Sequence, residues 1–379
     1  MNMPRFTPYL GIIAALVVGI SIVAFLGSAT VSRTSTIIIP NASSTLPVTH
    51  PAATTSTSSE QATSSQSAQS ASAPKSATKK TVSLAPVSVP VASAPPTVES
   101  IAVLNTELDA SASALRAALV NIICNAPAGS GLHSISGSGV IVDPKGIILT
   151  NAHVAQYFLL ADRNVSCTVR SGSPASDKYD AALIFISPAW LRANPNVLTE
   201  ALPSGTGERD FAFLAITKSA TSGALPSLFP YLSLATTPPD AGTPVVIASY
   251  GAQFLESNQI TSNLFPTVVF GSVKDVFTFG TNTVDVISLG GSAAAQEGSS
   301  GGGIADALGE LVGTITTSTV VGATDTRNLD AITASYIRAE YATETSQALD
   351  VFLSQPTATS VSNFTSQIPS LESIITAHL

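Results

Sequence analysis

"GSGVIVDPKGIILTNAHV", residues 137–154, decides how the rest of the chain is read. Two apolar runs, Val140–Val142 and Ile147–Leu149, flank Asp-Pro-Lys-Gly, a four-residue turn signal. The pattern predicts a tight β-hairpin, after which the chain rounds a polar corner and sets His153 at a strand end. A histidine there stands where a site can form, although the position equally suits a structural histidine satisfied by its neighbours. Working outward, short β-like runs recur at close intervals: "LVNIIC", "SCTVRS", "AALIFIS", "DFAFLAI", "TPVVIASY", "TVVFGSV", "TVDVISL" and "ELVGTITTS". Gly, Pro, Asp and Asn break them, and no amphipathic helices intervene. This density predicts an all-β sandwich or barrel rather than βαβ units.

Helices are expected only at the flanks. "NTELDASASALRAALV" offers Asn105 or Thr106 as N-cap and an apolar stripe through Leu108, Ala112, Leu115 and Leu119. "ETSQALDVFLSQ", 344–355, reads as a closing helix that stops before Pro356, with 356–379 as a flexible polar tail. The ordered domain is thus expected over 100–355.

Ahead of it lie two segments of a different kind. Tyr9–Gly27 is apolar and free of charge. Nineteen helical residues span roughly 28 Å, about one hydrocarbon core. Arg5 precedes the run, so residues 1–8 are expected in the cytoplasm and the remainder outside. The reading is a single-pass anchor at 9–27; "GSA" at 27–29 supplies the rival, a cleaved signal peptide and a secreted product. Residues 28–99 are Ser, Thr, Ala and Pro with few charges or aromatics. They cannot bury enough apolar surface to offset ordering entropy and are expected to be a disordered linker.

Charged residues make up 11% of the 379 and the net charge is −8, with no Lys/Arg block. "KSATKK" at 75–80 reads as a solvated patch. Nucleic acid is therefore excluded as an expected partner. Two cysteines, Cys124 and Cys167, without CxxC spacing cannot build a zinc site, and neither a metal nor another cofactor is expected.

"EGSSGGGI", 297–304, could be a Gly/Ser tether, yet it contains G-x-S-G-G and lies between two strand-like runs. A serine acting in acyl transfer needs a base. Of four histidines, His50 lies in the linker and His378 beside the C-terminus, which leaves His133, at the head of a Gly/Ser loop, and His153.

Together these stretches resemble the trypsin-like serine proteases, specifically the HtrA/Deg type. Residues 137–154 match the strand–turn–strand that leads to the family's catalytic histidine. "PDAGTPVVIASYG", 239–251, resembles the start of the second barrel, and "SAAAQEGSSGGGIADALGELVGTIT", 292–316, the segment around the nucleophile. The resemblance implies two six-stranded antiparallel β-barrels, chymotrypsin-like, with short flanking helices. It implies His153 as base and Ser300 as nucleophile, with the N–H groups of Gly298 and Ser300 as oxyanion hole. Two carboxylates compete as the acid. "KYDAALIFI" fits the family's aromatic-Asp-Ala strand, so Asp180 is read as a strand residue, whereas "ERDFAFLAI" fits the strand that opens on the catalytic Asp, and Asp210 is preferred. Ala294 and Thr314 are implied at the substrate pocket, where the lack of a carboxylate points away from Arg or Lys and toward small or medium apolar side chains. Cys124 and Cys167 fall on strands of one barrel and are implied as a disulfide. The expected substrates are proteins or peptides, unfolded or extracytoplasmic; oligomeric state is left open. Only about 25 residues follow the closing helix, too few for the PDZ domain common in the family. Ser299 replaces the family's Asn or Asp, and Gly303 its Pro. Ser299 cannot pair with a freshly cut N-terminus, and extra glycine beside the oxyanion hole keeps a catalytically silent binding module open as the alternative.

Overall fold

A computed structural model describes residues 98–200, 205–280, 282–318 and 322–379. The expected N-terminus 1–8, anchor 9–27 and nearly all of the linker 28–99 lie outside the described residues. Among the described residues no helix is long and apolar enough to cross a membrane.

Helix α1, Val98–Ala118, opens the described chain, longer than the cap at Asn105 or Thr106 suggested, and runs directly into β1, Leu119–Asn125. The quoted hairpin follows as β2, Ile135–Asp143, and β3, Ile147–Thr150. Its turn is held by the Asp143 side chain, which accepts from Lys145 N at 2.8 Å, and by Gly146 N donating to Asp143 O at 2.9 Å. A short helix α2, Ala152–Ala155, carries His153 off the end of β3 and continues as a 3₁₀ segment over Gln156–Arg163. Strands β4, Ser166–Gly172, and β5, Ala175–Ile186, precede α3, Pro188–Ala193, and β6, Ala212–Ser219. These six strands close a barrel in the order β1-β2-β3-β6-β5-β4. Cys124 and Cys167 face each other in the β1/β4 register and are joined by a disulfide.

The second half is built from β7, Pro244–Ser249; α4, Ser257–Ser262; β8, Thr267–Ser272; β9, Asp275–Phe277; β10, Val286–Ser288; β11, Gly303–Ala305; β12, Leu311–Ser318; and β13, Leu329–Thr333. Here the expectation of a second closed six-stranded barrel is corrected. The strands form one seven-stranded sheet, β8-β7-β11-β12-β13-β10-β9, a half-barrel whose two edges do not pair. The reason lies at one corner of the chain. β8 and β9 are one stretch of chain broken at Val273 and Lys274, whose amides turn aside to Thr243 O at 3.0 Å and Ser288 O at 2.7 Å. The sheet edges thus meet at a chain corner rather than across a ladder.

Helix α1 lies between the two halves, packing on β2, β7 and β11, and its Leu115 is fully buried. Downstream come α5, Ala334–Thr345; α6, Leu349–Ser354; α7, Thr357–Thr365; and α8, Ile368–Thr376. The single closing helix read over 344–355 is in fact two, separated at Ser346, which sits in the left-handed region at φ 56°. The expected flexible tail, 356–379, is corrected as well: it forms α7 and α8, and α7 packs on β5 while α8 packs on α3. Phe364, Leu371 and Ile375 are buried at spacings that put them on one side of the helices. An aromatic group joins this layer to the barrel: Tyr341 of α5 stands 4.8 Å from Phe185, and Phe352 of α6 5.8 Å from Phe213.

Candidate active site

The site lies where α2, the start of β6 and the loop before β11 converge. His153 Nδ1 is 2.7 Å from Asp210 Oδ2, and the His153 amide donates to Asp210 Oδ1 at 3.0 Å. An ionised carboxylate only accepts, so Nδ1 carries the proton of the neutral ring and Nε2 is left as the basic nitrogen. Thr316 Oγ1 donates to Asp210 Oδ2 at 2.8 Å, and Asn151 Nδ2 to the Asp210 carbonyl at 2.8 Å. Asp210 is buried, whereas the His153 side chain keeps 27% of its surface. Burial alone would lower the His153 pKa; the Asp210 charge and hydrogen bond outweigh it, and the imidazole is held above its ordinary value.

Asp180 is placed elsewhere. It sits on β5 opposite Lys218, whose Nζ is 3.0 Å from its Oδ2, and the pair is largely solvent-exposed.

The two adjacent serines have different surroundings. Ser299 is buried, and its hydroxyl accepts from Ser249 Oγ at 3.0 Å. Ser300 is half-buried, and its hydroxyl makes no hydrogen bond to His153 or to any other described residue. Its carbonyl accepts from Ser138 N at 2.7 Å. That bond fastens it to β2 one residue from Gly137, where an added Cβ would touch Val154, the neighbour of His153.

The loop is set by its carbonyls. Ala252 N donates to Glu297 O at 2.8 Å, and Ser138 Oγ to Gly298 O at 2.8 Å. A trans peptide points its C=O and N–H oppositely, so the Gly298 N–H faces away from Ala252. The Gly298 and Ser300 amides donate to no described acceptor, while those of Ser299, Gly301 and Gly302 bond to Gln296, Ile315 and Ser299. Gly298 holds φ +89° with Tyr250 O only 2.8 Å from where a Cβ would be. Gly303, the position with Pro in the resembling family, is a buried residue of β11 in register with Ala248 and Thr314, and Leu311, Val140 and Leu115 press on it.

Sequence reasoning put Ala294 and Thr314 at a substrate pocket, and both are fully buried. The Thr314 hydroxyl points behind the loop, donating to the carbonyls of Gly302 at 3.1 Å and Gly301 at 3.3 Å. Three contributors were missed. Thr316 is the extra residue of a β-bulge in β12, between Ile315 and Thr317 of the β12/β13 register. Ser138, inside the opening motif, braces Gly298, Ser300 and Tyr250 at once, the last through Tyr250 N at 2.8 Å. Arg327 is buried and donates to Ala295 O at 2.7 Å and Gln253 Oε1 at 2.6 Å, bracing the segment that holds Ala294. Among the described residues no group of acidic, His and Cys side chains could hold a metal ion.

Residues 137–313 match the family model of the trypsin-like peptidase domain. Over that segment the chain is similar to a trypsin-like peptidase domain. No curated protein matches the sequence. Solved structures similar to it include the Rv3671c protease of M. tuberculosis. Its active form is 20% identical with TM-score 0.40, over 69% of this chain and 93% of that one. An inactive form is 20% identical with TM-score 0.40, over 68% of this chain and all of that one. The matched peptidase segment runs from the first glycine of the opening motif to Gly313 of β12 and includes His153, Asp210 and Ser300.

Proposed function

We propose that this chain is a membrane-anchored serine endopeptidase working outside the cytoplasm, with Ser300, His153 and Asp210 as its triad. The observation that carries the reading is the His153–Asp210 pair at 2.7 Å, together with a Ser300 hydroxyl that is uncommitted. In this reading Ser300 Oγ attacks the scissile carbonyl carbon and gives its proton to His153 Nε2. Asp210 keeps Nδ1 protonated and stabilises the imidazolium that forms. The oxyanion of the tetrahedral intermediate takes the Gly298 and Ser300 amides, which are preorganised because their carbonyls are already tied down. Collapse breaks the C–N bond, the amine leaves with the proton from His153, and an acyl-enzyme remains for water to hydrolyse.

The exported location is supported by the charge-free run at 9–27 and by the Cys124–Cys167 disulfide, a bond that persists in oxidising compartments. Substrates are unfolded proteins or peptides, with small or medium apolar side chains before the scissile bond. The buried Arg327 guanidinium behind Ala294 and Ala295 further disfavours a basic side chain there.

The missing Ser300–His153 hydrogen bond favours a second reading, a silent peptidase fold used as a binding module. Fluorophosphonate labelling of residues 100–379 decides between them. Labelling that is abolished in Ser300→Ala and His153→Ala is expected; an unlabelled native protein would establish the binding module instead.

A further inference from the structure

Helix α5 aims a group of polar side chains at the residue just before Asp210. The Arg209 amide donates to Tyr336 Oη at 3.0 Å. Arg209 Nε lies 2.5 Å from Glu340 Oε1 and 3.7 Å from Glu344 Oε1, and Nη1 lies 2.9 Å from Glu208 Oε1. Glu344 in turn accepts from Ser187 Oγ at 2.5 Å, at the end of β5. The two helix carboxylates keep only 14% and 13% of their side-chain surface, so solvent screens the contact weakly on the α5 side.

The backbone shows what this contact holds. Arg209 sits at φ 58°, in the left-handed region that costs an L residue about 1–2 kcal/mol. In that conformation its carbonyl accepts from Phe211 N at 2.8 Å, closing a three-residue turn with Asp210 at its centre. Phe211 fixes the far side, stacked 5.6 Å from Phe185. A turn this tight, at a residue that does not favour it, needs an outside restraint, and α5 provides one.

We propose that Arg209 is a positioning residue of the peptidase: gripped by Glu340 and Glu344, it holds the turn that aims the Asp210 carboxylate at His153. The proposal rests on Asp210 as the acid of the triad. The gripping residues lie in 334–345, beyond the 137–313 segment that matches the family.

The test uses the full chain with Arg209→Met, Arg209→Lys, Asp210→Asn and Arg338→Met. Arg338 also ties α5 down, donating to Leu234 O at 2.8 Å and to Asp350, but it does not touch the Asp210 turn. Readouts are kcat and KM on a peptide ester, and the NMR titration of the His153 imidazole, which requires no turnover. Arg209→Met is expected to lower kcat about tenfold to a hundredfold, the effect of displacing a catalytic group by roughly 1 Å, with KM within about twofold. It should move the His153 titration downward, in the same direction as Asp210→Asn. Arg209→Lys should recover most of kcat, since a lysine still offers a cation to Glu340. Arg338→Met should lower the melting temperature and leave the His153 titration in place. If Arg209→Met behaves as Arg338→Met does, Arg209 is structural only and the proposal fails. Should Asp210→Asn itself leave the His153 titration and kcat untouched, the triad assignment fails first and takes the proposal with it.

Discussion

Gly301→Ala tests whether the backbone behind Ser300, the proposed nucleophile, is as tightly fixed as the geometry implies. Gly301 holds φ +84°, and an added Cβ would stand 2.0 Å from Ser138 O and 2.5 Å from Thr150 Oγ1. Both distances are far inside ordinary contact, and the nearer obstacle is backbone. Relief requires Ser300–Gly301 or β2 to move by about 1 Å, and a shift of that size at a reacting atom costs about a hundredfold in rate. The φ penalty costs about 1–2 kcal/mol of stability in addition. Gly242 supplies the control, with φ +90° and nothing within 4 Å of its Cβ position. Gly242→Ala should lose the same conformational term with kcat/KM unchanged. The assay is hydrolysis of a peptide ester at temperatures where circular dichroism shows both variants folded. Equal kcat/KM for the two alanine variants would refute the reasoning, because conformational cost without displacement would then account for everything at Gly301.

Other outcomes follow from the same geometry. Asp210→Asn should lower kcat by about 10⁴, while Asp180→Asn, which removes only an exposed partner of Lys218, should leave it within about twofold. Because the Asp210 charge and hydrogen bond outweigh burial at His153, the acidic limb of kcat/KM should have its midpoint above the ordinary imidazole value of 6.5 and fall below that value in Asp210→Asn. The same upward shift links to stability, with a contribution fully present below the unfolded imidazole value and lost as pH rises through the folded one, readable by denaturant titration across that window. Replacing both cysteines with serine should cost about 4 kcal/mol, the loop entropy of a sequence separation of 43, measured by denaturant unfolding. Ending the chain at Gln355 should lower the melting temperature clearly, since Phe364, Leu371 and Ile375 bury apolar surface worth about 1.5–3 kcal/mol each; a truncated chain that melts like the full one would restore the flexible tail.

Much of the fold could be read locally. The turn at 143–146 and the strands around it depend on neighbours in sequence, and there the pattern and the structure agree. What escaped the reading depends on distant partners. Residues 356–379 carry almost no charge and many Ser and Thr, so composition argued for looseness. Yet Val361, Phe364, Ile368, Leu371 and Ile375 recur at intervals of three and four, an amphipathic stripe outweighed by polar neighbours. The break at Val273–Lys274, which opens the second sheet, lies within an unremarkable β-like run. Its cause is the pair of carbonyls at Thr243 and Ser288, far away in sequence. Thr316 sits in a bulge of β12, so alternation counted from Thr314 does not tell which hydroxyl reaches Asp210.

The two candidate acids show how far a motif can carry the choice. Asp180 and Asp210 each precede an apolar strand, and β5 and β6 lie side by side in the barrel, so neither composition nor alternation separates them. Their backbones do. Asp180 lies within the β5 ladder, in register with Lys218, and its side chain follows the strand's alternation out to solvent. Asp210 precedes the first residue of β6, where the turn closed between Arg209 and Phe211 releases its side chain from that alternation and points it inward to His153 and Thr316. That turn needs an anchor, which α5 supplies from more than a hundred residues downstream. A carboxylate becomes available to an imidazole here because it has been lifted off its strand, and the helix that anchors the lifting turn is outside the motif that names it.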